Sequence, residues 1–509
     1  MFRPSRIILL GILAALVWLR TWRLLLLPMF YDEGLHITRG QYILANHTLL
    51  TQTVGGKYLQ VWLLALVFPF AGDPLLAARA LSAAFGFLAG IGCYLLARQL
   101  YQREDVALLA TAMYAIAPYP LFFDRMTLAE GVLSALGIWC LLFSLVAVRQ
   151  GRWWQILGLG LCLGAAAATK LNGLAFAGFP LLAAWLGRDN LPRRRILLIT
   201  LAAWLLVIPW LLPAAFDFIY QYDYLVSRSW IGSEMEDSTY LTQFSQNFDL
   251  IAGVLWHYLT PPFLALVLVE VGRSLWRRDK STWLLALAGL ATLALFFLVV
   301  SAGDFYPRYL VPAFPFLLIL AARGLAALTD WLWEHRPRPT WRFRWGLLAG
   351  LALLASLFAL RFDYLLLTDP PSASWMPIDR WQTIDGWPAG YGVIDAAAYL
   401  RQQADELGAI VVVKRARDRM YTGNWVHYLQ HPGISITATN FENSDLPGYI
   451  EALRNKKAPI FVILDRPRED KYVATFTKGA YAPYSTLVGT FSRPGGASYI
   501  EVYRLKFVP

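Results

Sequence analysis

The sequence predicts a polytopic α-helical membrane protein with a C-terminal α/β domain, and three observations support this fold class. Only 16% of the 509 residues are charged and 57% are hydrophobic, whereas soluble domains carry about 25% charged residues. Apolar runs long enough to cross a bilayer recur as far as residue 366. The 21 tryptophan residues suit a chain with many helix ends at a membrane interface.

A transmembrane helix needs about 17–25 apolar residues, and about eleven runs reach or approach that length. Segment 58–70 is apolar but shorter, so we predict a re-entrant or interfacial helix there. The first run follows a charged start and lacks a convincing signal-peptide cleavage site, which predicts a retained helix. The predicted spans lie near residues 7–27, 79–100, 105–122, 130–149, 153–170, 173–187, 196–214, 251–271, 282–300, 308–329 and 345–366.

Lysine and arginine residues orient these spans. With segment 58–70 not counted as a span, the basic clusters share one side, and short loops with such a cationic excess are typically cytoplasmic. The prediction is therefore a multi-pass cell-membrane protein with a cytoplasmic N-terminus. The net charge of +11 then follows from topology, and no nucleic-acid partner is expected. The clusters are Arg149 and Arg152, Arg188 and Arg193–Arg195, Arg273, Arg277, Arg278 and Lys280, and Arg336, Arg338, Arg342 and Arg344.

The chain changes character after residue 367. The runs AIVVVK (409–414) and APIFVIL (458–464) are typical of buried strands, and they alternate with helical patterns at 391–407 and about 445–456. We see no internal repeat of the kind that builds the inverted halves of transporters. The predicted domains are a transmembrane domain, 1–366, with catalytic outer loops 28–78, 123–130, 215–250 and 301–308, and a soluble extracytoplasmic α/β domain, 367–509.

Acidic residues mark the predicted outer face. Asp32 and Glu33 follow the first span in LLLLPMFYDEGLHITRG, and Glu130 lies in the short loop FDRMTLAE. A carboxylate in such a position could accept a proton from an attacking hydroxyl or amine, and its neighbour could position it or raise its pKa. The alternative interpretation is a solvated pair of acids at the interface.

Cations accompany these acids on the side where the charge bias predicts few. They are Arg39, Lys57, Lys170 and Arg308. Lys170 lies where two weak spans meet, and an ammonium there is costly unless it faces a cavity or an anion. This favours a functional role, and the alternative interpretation is a lysine side chain that extends to the membrane interface. Cations beside carboxylates at the level of the head groups suit the phosphate of a lipid.

Other patterns carry less information. The three cysteines lie in apolar runs, and the histidines have no metal-ligand spacing. His36 lies one helical turn after Asp32 and could share its face. The cluster KRARDR (414–419) is interpreted as a solvated face, with contact to an anionic lipid or acceptor as the alternative. No cytoplasmic loop holds an Asp-x-Asp or a Gly-rich phosphate loop, so we expect any donor to come from the membrane.

An ordered set of motifs resembles the GT-C glycosyltransferases, and more closely the branch with protein O-mannosyltransferases and the bacterial aminoarabinose transferase of lipid A. The resemblance covers roughly residues 7–320 and implies a donor sugar on polyprenyl phosphate and a site facing away from the cytoplasm. The motifs are FYDEGLHITRGQYIL, TQTVGGKYLQVWLLALVFPFAG, AARALSAAFGFLAGIGCYLLARQLY, DRMTLAEGVLSAL, ATKLNG and YPRYLVPAFP.

The resemblance assigns roles to individual residues. Asp32 becomes the catalytic base, with Glu33 beside it, and Glu130 stands where many relatives have aspartate. Lys57, Lys170 and Arg308 become the cations for the donor phosphate. Some relatives have arginine at the position of Leu35, and Arg39 is the candidate substitute. Substrate-binding roles are further predicted for His36, Asp124, Arg125, Tyr58 and Tyr309.

The mechanism implied is an inverting displacement in which Asp32 takes the acceptor's proton and polyprenyl phosphate leaves. No cofactor is obligatory, and a divalent metal is left open. The expected partners are the polyprenyl-phosphate sugar, a lipid, glycan or protein acceptor, and membrane lipids. Three alternatives remain open: a transporter or flippase of lipid-linked sugars, a glycan ligase or polymerase, and a non-catalytic scaffold for the outer domain.

Overall fold

The computed structural model describes residues 4–51, 57–186, 192–220, 240–299, 306–335, 341–415, 423–439, 458–478 and 482–506. Within these ranges the chain is mostly helical, with one small sheet near the C-terminus. The helix predicted at 445–456 and much of the predicted acidic loop 215–250 lie outside the described residues.

Most helices before residue 369 overlap the apolar runs of the sequence, although the second helix lies in the predicted outer loop 28–78. They are α1 (Pro4–Thr21), α2 (Tyr31–Asn46), α3 (Tyr58–Val67), α4 (Pro74–Tyr101), α5 (Glu104–Ile116), α6 (Pro118–Asp124), α7 (Ala129–Gln150), α8 (Trp153–Thr169), α9 (Phe179–Leu186), α10 (Arg193–Leu205), α11 (Ile208–Tyr220), α12 (Tyr240–Val254), α13 (Pro261–Arg277), α14 (Lys280–Val299), α15 (Phe314–Glu334) and α16 (Trp341–Thr368).

The C-terminal part contains short helices and five strands. They are α17 (Pro377–Arg380), α18 (Val393–Leu407), β1 (Ile410–Arg415), α19 (Gly423–Tyr428), β2 (Ile434–Thr439), β3 (Ile460–Arg466), α20 (Asp470–Thr477), β4 (Ser485–Ser492) and β5 (Tyr499–Leu505).

The chain divides into two compact units. The first contains Met1–Leu24 and Gly40–Thr368, and the second contains Leu25–Arg39 and Asp369–Pro509. The second unit therefore takes in a segment of the first outer loop, which periodicity could not foresee because the grouping depends on contacts between distant parts of the chain.

Several helices of the first unit can cross a membrane. Among the described residues, five are long and apolar enough, and up to seven if each of two sharply bent helix pairs counts as one span. Four shorter apolar helices lie at Tyr58–Phe70, Trp153–Thr169, Leu171–Trp185 and Lys280–Leu293. The chain has the helices of a membrane protein, and the number of about eleven spans stays a prediction.

The most buried spans lie at the centre of the first unit. The apolar window of α7 is 78% buried and that of Pro307–Glu334 is 83% buried, whereas the window in Arg342–Thr368 is only 22% buried. Apolar side chains that remain exposed on a spanning helix suit contact with lipid tails, so α16 is a peripheral helix.

Charged residues also fasten helix ends together in the first unit. Arg103 binds both Asp105 and Asp330, at 2.6 and 2.5 Å, and Arg344 binds the same two carboxylates at 2.6 and 2.7 Å. Two cations and two anions thus form a closed ring that joins the α4–α5 connection to α15 and α16.

The second unit is built on a five-stranded sheet of order β2-β1-β3-β5-β4. Strand β1 pairs in parallel with β2 and β3, and β5 pairs antiparallel with β3 and β4. The strands predicted at 409–414 and 458–464 are confirmed as β1 and β3.

Alternation along the strands gives the sheet two covered faces. Val411 and Val413 of β1 lie in an apolar cluster with Tyr472 and Phe476 of α20. The residues between and after them, Val412 and Lys414, therefore point to the other face. Helix α18 packs against β1, β4 and β5 of the sheet.

Candidate functional site

Glu130 and Lys170 form the centre of the candidate site in the first unit. Lys170 Nζ lies 2.8 Å from Glu130 Oε1, and the side chains are 14% and 5% exposed. Glu130 lies in the first turn of α7, where the helix dipole favours a carboxylate. The structure thus brings together two predicted residues that are 40 positions apart in the sequence.

Aromatic rings and further cations surround this ion pair. Lys170 Nζ lies 3.6 Å from the centre of the Tyr309 ring, and the Arg308 guanidinium lies 5.0 Å from the Tyr306 ring and 5.8 Å from the Tyr309 ring. Lys57 and Arg308 are close enough to act electrostatically on Glu130. Sequence reasoning missed Tyr306, although it belongs to the motif that contains Arg308.

The backbone around Lys170 explains the local motif. Helix α8 ends at Thr169, Lys170 is extended at φ −167°, and a 3-10 helix begins at Leu171. A Cβ on Gly173 would lie 2.3 Å from the carbonyl oxygen of Ala166, so a side chain does not fit there. The glycine of TKLNG lets the chain fold back closely against the last turn of α8.

Asp124 and Arg125 fasten the end of α1. Arg20 Nε donates to Asp124 Oδ2 at 2.8 Å, the Tyr114 hydroxyl donates to the same oxygen at 3.0 Å, and both members of the Arg20–Asp124 pair are fully buried. Arg125 donates to the carbonyl oxygens of Leu19 and Trp22 at 2.7 and 2.9 Å, and to that of Arg23 at 3.1 Å. These contacts favour a positioning role over the predicted binding of substrate, which stays untested. Sequence reasoning missed Arg20, a charge within an apolar run.

Lys57 and Tyr58 begin helix α3, the interfacial segment of the prediction. Lys57 is the residue before the first turn, and Tyr58 is buried with its hydroxyl donating to the carbonyl of Thr51 at 3.0 Å. Backbone N–H groups and the dipole at the start of a helix favour an anion, which agrees with the cationic role predicted for Lys57.

The other predicted acids lie in the second unit, in the first turn of α2. Glu33 is fully buried, and its Oε2 accepts a hydrogen bond from the backbone N–H of Phe30 at 3.0 Å. Asp32 is half-buried. The Glu33 carboxylate thus caps the helix, while Asp32 remains more accessible. His36 and Arg39 follow on the same helix and are buried, at 2% and 7% exposed.

Hydrogen bonds and one close backbone contact hold the segment Leu25–Arg39 within the second unit. The Met29 N–H donates to the Tyr428 hydroxyl at 2.7 Å, and the Tyr31 N–H donates to the Pro388 carbonyl at 2.9 Å. A Cβ on Gly34 would lie 2.3 Å from the carbonyl carbon of Gly423, so α2 and α19 meet with their backbones in contact. Nothing in the sequence pairs these residues, and the Met29 and Tyr428 positions are 399 apart.

The interpretation of the cluster KRARDR as a solvated face is wrong for its first residue. Lys414 was interpreted as part of a solvated face, but it is only 9% exposed and lies over the Trp425 ring at 5.1 Å. It is the fifth residue of β1 and points inward with Val412. Residues 416–419 of the cluster lie outside the described residues.

Metal ligands were not predicted. Among the described residues, no three histidine, cysteine, aspartate or glutamate side chains group as a metal site would require. Cys93 and Cys140 are buried as free thiols.

Comparison with known proteins gives one family match. Residues 58–212 match the family described as dolichyl-phosphate-mannose-protein mannosyltransferase. A comparison with curated protein sequences gives no match.

Solved structures of similar fold cover nearly all of the chain. ArnT from Cupriavidus metallidurans aligns with a TM-score of 0.63 at 14% identity, over 98% of this chain and 97% of ArnT. The same protein bound to undecaprenyl phosphate aligns with a TM-score of 0.60 at 14% identity, over 98% of both chains. An oligosaccharyltransferase from Archaeoglobus fulgidus aligns with a TM-score of 0.54 at 16% identity, over 97% of this chain and 74% of that one.

These similarities define the class: the chain is a membrane protein with the GT-C fold. Within that class, the match at residues 58–212 connects it with the protein mannosyltransferases. The resemblance inferred from the sequence motifs is thereby confirmed, and together the two similarities support a membrane glycosyltransferase.

Proposed function

We propose that the protein moves a monosaccharide from a polyprenyl-phosphate-linked donor to an acceptor on the extracytoplasmic face, with inversion at the anomeric carbon. The acceptor is a lipid, a glycan or a protein. The family match and the GT-C fold support the class of reaction. One solved structure of ArnT, a protein of similar fold, contains undecaprenyl phosphate, which supports the class of donor.

The gathering of cations around Glu130 is the observation that carries this proposal. Lys57, Lys170 and Arg308 all act on this one carboxylate. A sugar phosphodiester has one negative charge, and the polyprenyl phosphate released from it approaches two. Cations placed before the reaction stabilise that developing charge more than the ground state, as catalysis requires.

Asp32 is proposed as the general base. The acceptor oxygen forms a bond to the anomeric carbon, the bond from that carbon to the phosphate oxygen breaks, and its electron pair stays on the phosphate. The acceptor's proton goes to the Asp32 carboxylate. Glu33 is less suited, because it is fully buried and accepts the Phe30 N–H. The Tyr428 and Pro388 contacts support a fixed position for this turn.

The phosphate is itself a good leaving group, so the proposed step needs no cofactor or metal. Asp124 and Arg125 are proposed to act indirectly, by fixing the end of α1. His36, Tyr58 and Tyr309 are retained as candidate substrate contacts, and Arg39 as a candidate phosphate contact.

The test uses purified protein in liposomes with a panel of polyprenyl-phosphate sugars and a membrane extract that supplies acceptors. Wild type is compared with Asp32→Asn, and Glu33→Gln is the matched control because it also removes one carboxylate from the same turn. We expect Asp32→Asn to lower transfer and release of free polyprenyl phosphate by about 10²–10⁴-fold, with donor binding retained. Glu33→Gln should reduce stability more than rate.

Each contrary outcome points to a specific alternative. Undiminished transfer in a folded Asp32→Asn variant would remove Asp32 as the base. Movement of intact donor across the bilayer without sugar transfer would favour the flippase. Transfer of preassembled glycans alone, from diphosphate carriers, would favour the ligase or polymerase.

A further inference from the structure

The carboxyl edge of the parallel strands in the second unit has the topology of a ligand site. β2 and β3 lie on opposite sides of β1, so the connections diverge at the β1/β3 boundary. Open α/β sheets bind ligands outside the carboxyl ends of the strands at such a switch point. Lys414 lies near the end of β1 and pairs with Ile463 of β3. Asp465 follows Ile463 by two residues in β3, so both side chains lie at this boundary.

Lys414 is an ionisable group that no role assigned so far explains. It is 9% exposed and lies over the Trp425 ring at 5.1 Å. Among the described residues, its Nζ has no hydrogen bond and no ion pair within 4.0 Å. A cation on a side chain this deeply buried is costly unless an anionic group lies close to it.

The neighbouring carboxylates are already engaged elsewhere. Arg493 donates to both oxygens of Asp465, at 2.9 and 3.0 Å, and Glu469 accepts the Asp465 N–H at 2.9 Å. Arg468 lies beyond them, over the Trp387 ring at 3.6 Å. Among the described residues, Arg468 and Arg493 thus act on Lys414 together with the Asp465 and Glu469 carboxylates, so cations gather at this edge.

The same edge holds the segment that contains the proposed base. Trp387, which stacks with Arg468, contacts the ring of Tyr31 at 5.2 Å. Helix α19, which supplies Trp425 against Lys414, has its first residue Gly423 against Gly34 of α2. Arg468 is thus linked to the first turn of α2 through Trp387, and Lys414 is linked to it through helix α19.

We propose that this edge of the second unit binds an anionic group of the acceptor, a phosphate or a carboxylate, with Lys414 as the contact and Arg468 beside it. The bound group would present the acceptor's nucleophile to the turn that contains Asp32. The anion would supply the hydrogen-bond acceptor that the Lys414 ammonium lacks among the described residues. The role in transfer rests on the proposed function, whereas binding of the anion does not.

The ionisation of Lys414 supports this geometry and gives it a pH dependence. Burial lowers the pKa of the Lys414 ammonium to about 8, and the charges of Glu469 and Asp465 oppose that shift, while those of Arg468 and Arg493 add to it. Trp425, which faces the ammonium from α19, does not titrate. Anion binding is therefore expected to be strongest below pH 8 and to weaken above it, as Lys414 loses its charge.

The experiment measures thermal unfolding of the full chain in phosphatidylcholine nanodiscs without donor, by tryptophan fluorescence. Sodium phosphate or sodium acetate is compared with sodium chloride at equal ionic strength, in wild type, Lys414→Met and Lys506→Met. Lys506 is an exposed lysine of the same unit and is the matched control. Only the anion-dependent change is compared, so a general effect of either substitution on stability cancels.

We expect phosphate or acetate to raise the unfolding midpoint of wild type and Lys506→Met by several degrees more than that of Lys414→Met. An equal anion effect in all three proteins, or none in any, would overturn the proposal. A further arm replaces soluble phosphate by phosphatidic acid in the nanodisc: a Lys414-dependent effect there assigns the anion to a lipid, and one with soluble anions alone assigns it to a soluble group. Because no donor is present, these outcomes do not depend on whether sugar transfer is detected.

Discussion

Replacing Gly423 with alanine tests whether the contact between α19 and α2 sets the position of Asp32. The new Cβ would lie 2.7 Å from the Gly34 carbonyl carbon, 2.7 Å from the Leu35 nitrogen and 2.8 Å from the Tyr31 oxygen. All three are backbone atoms of the first turn of α2, so no side chain can rotate away. Ordinary contact begins at 3.4 Å, so the turn must retreat by about 0.7 Å.

A displacement of this size is expected to reduce the rate of transfer more than the binding of donor. Misplacing a reacting group by about 1 Å can cost about 10²-fold in rate, so we expect kcat to fall roughly ten- to a hundredfold. The assay is steady-state transfer in liposomes, with donor affinity and the unfolding midpoint measured on the same preparations.

The matched control is Gly346→Ala, because a Cβ at Gly346 on α16 meets nothing within 4 Å. It should leave kcat and the unfolding midpoint unchanged. The reasoning would be refuted by a folded Gly423→Ala variant with the kcat of wild type. A parallel fall in donor affinity would mean that the contact affects more than the position of the base.

Three further predictions concern buried charges. Lys170→Met is expected to destabilise the protein by about 3 kcal/mol, because Glu130 keeps a buried charge without its partner. The double variant Glu130→Gln/Lys170→Met should recover most of that loss in thermal unfolding but should bind the donor more weakly than wild type. Donor binding as tight as in wild type would contradict the phosphate role of Lys170. Arg20→Met should cost about 3–5 kcal/mol by leaving the Asp124 carboxylate unpaired; a loss below about 1 kcal/mol in an unfolding titration would contradict this. The pKa of Lys414 is about 8 in the folded protein and 10.5 in the unfolded chain, so the folded state binds the proton more weakly. The stability of wild type relative to Lys414→Met should therefore be constant below pH 8 and rise by up to about 3 kcal/mol between pH 8 and 10.5. A stability difference that falls over that range would refute this.

Much of the first unit follows from the sequence, because long apolar runs joined by short loops leave few arrangements. Glu130, Lys170 and Arg308 were predicted to share one side, and the structure brings them together. What such reasoning misses is which charges pair. The substrate contact predicted for Asp124 stays a prediction. What the sequence did not indicate is that Asp124 is buried against Arg20, because that pairing depends on packing between distant helices.

The second unit shows the limits of periodicity more clearly. The pattern AIVVVK gives β1, but it does not tell whether the final lysine points into solvent or inward. That depends on α19, which brings Trp425 over Lys414. Likewise, nothing local to Leu25–Arg39 indicates that Asp369–Pro509 completes its surroundings.

The grouping of Leu25–Arg39 with Asp369–Pro509 has a consequence for how the chain is made. Ribosomes release the early segment first, and the residues that surround it emerge only after all the intervening spans. Until then Met29 and Tyr31 lack the Tyr428 and Pro388 groups that bind their N–H groups. On the function proposed here, a nascent or truncated chain would have its donor-binding cations before its base is fixed. Synthesis order would then delay transfer until the residues that surround this turn have been translated.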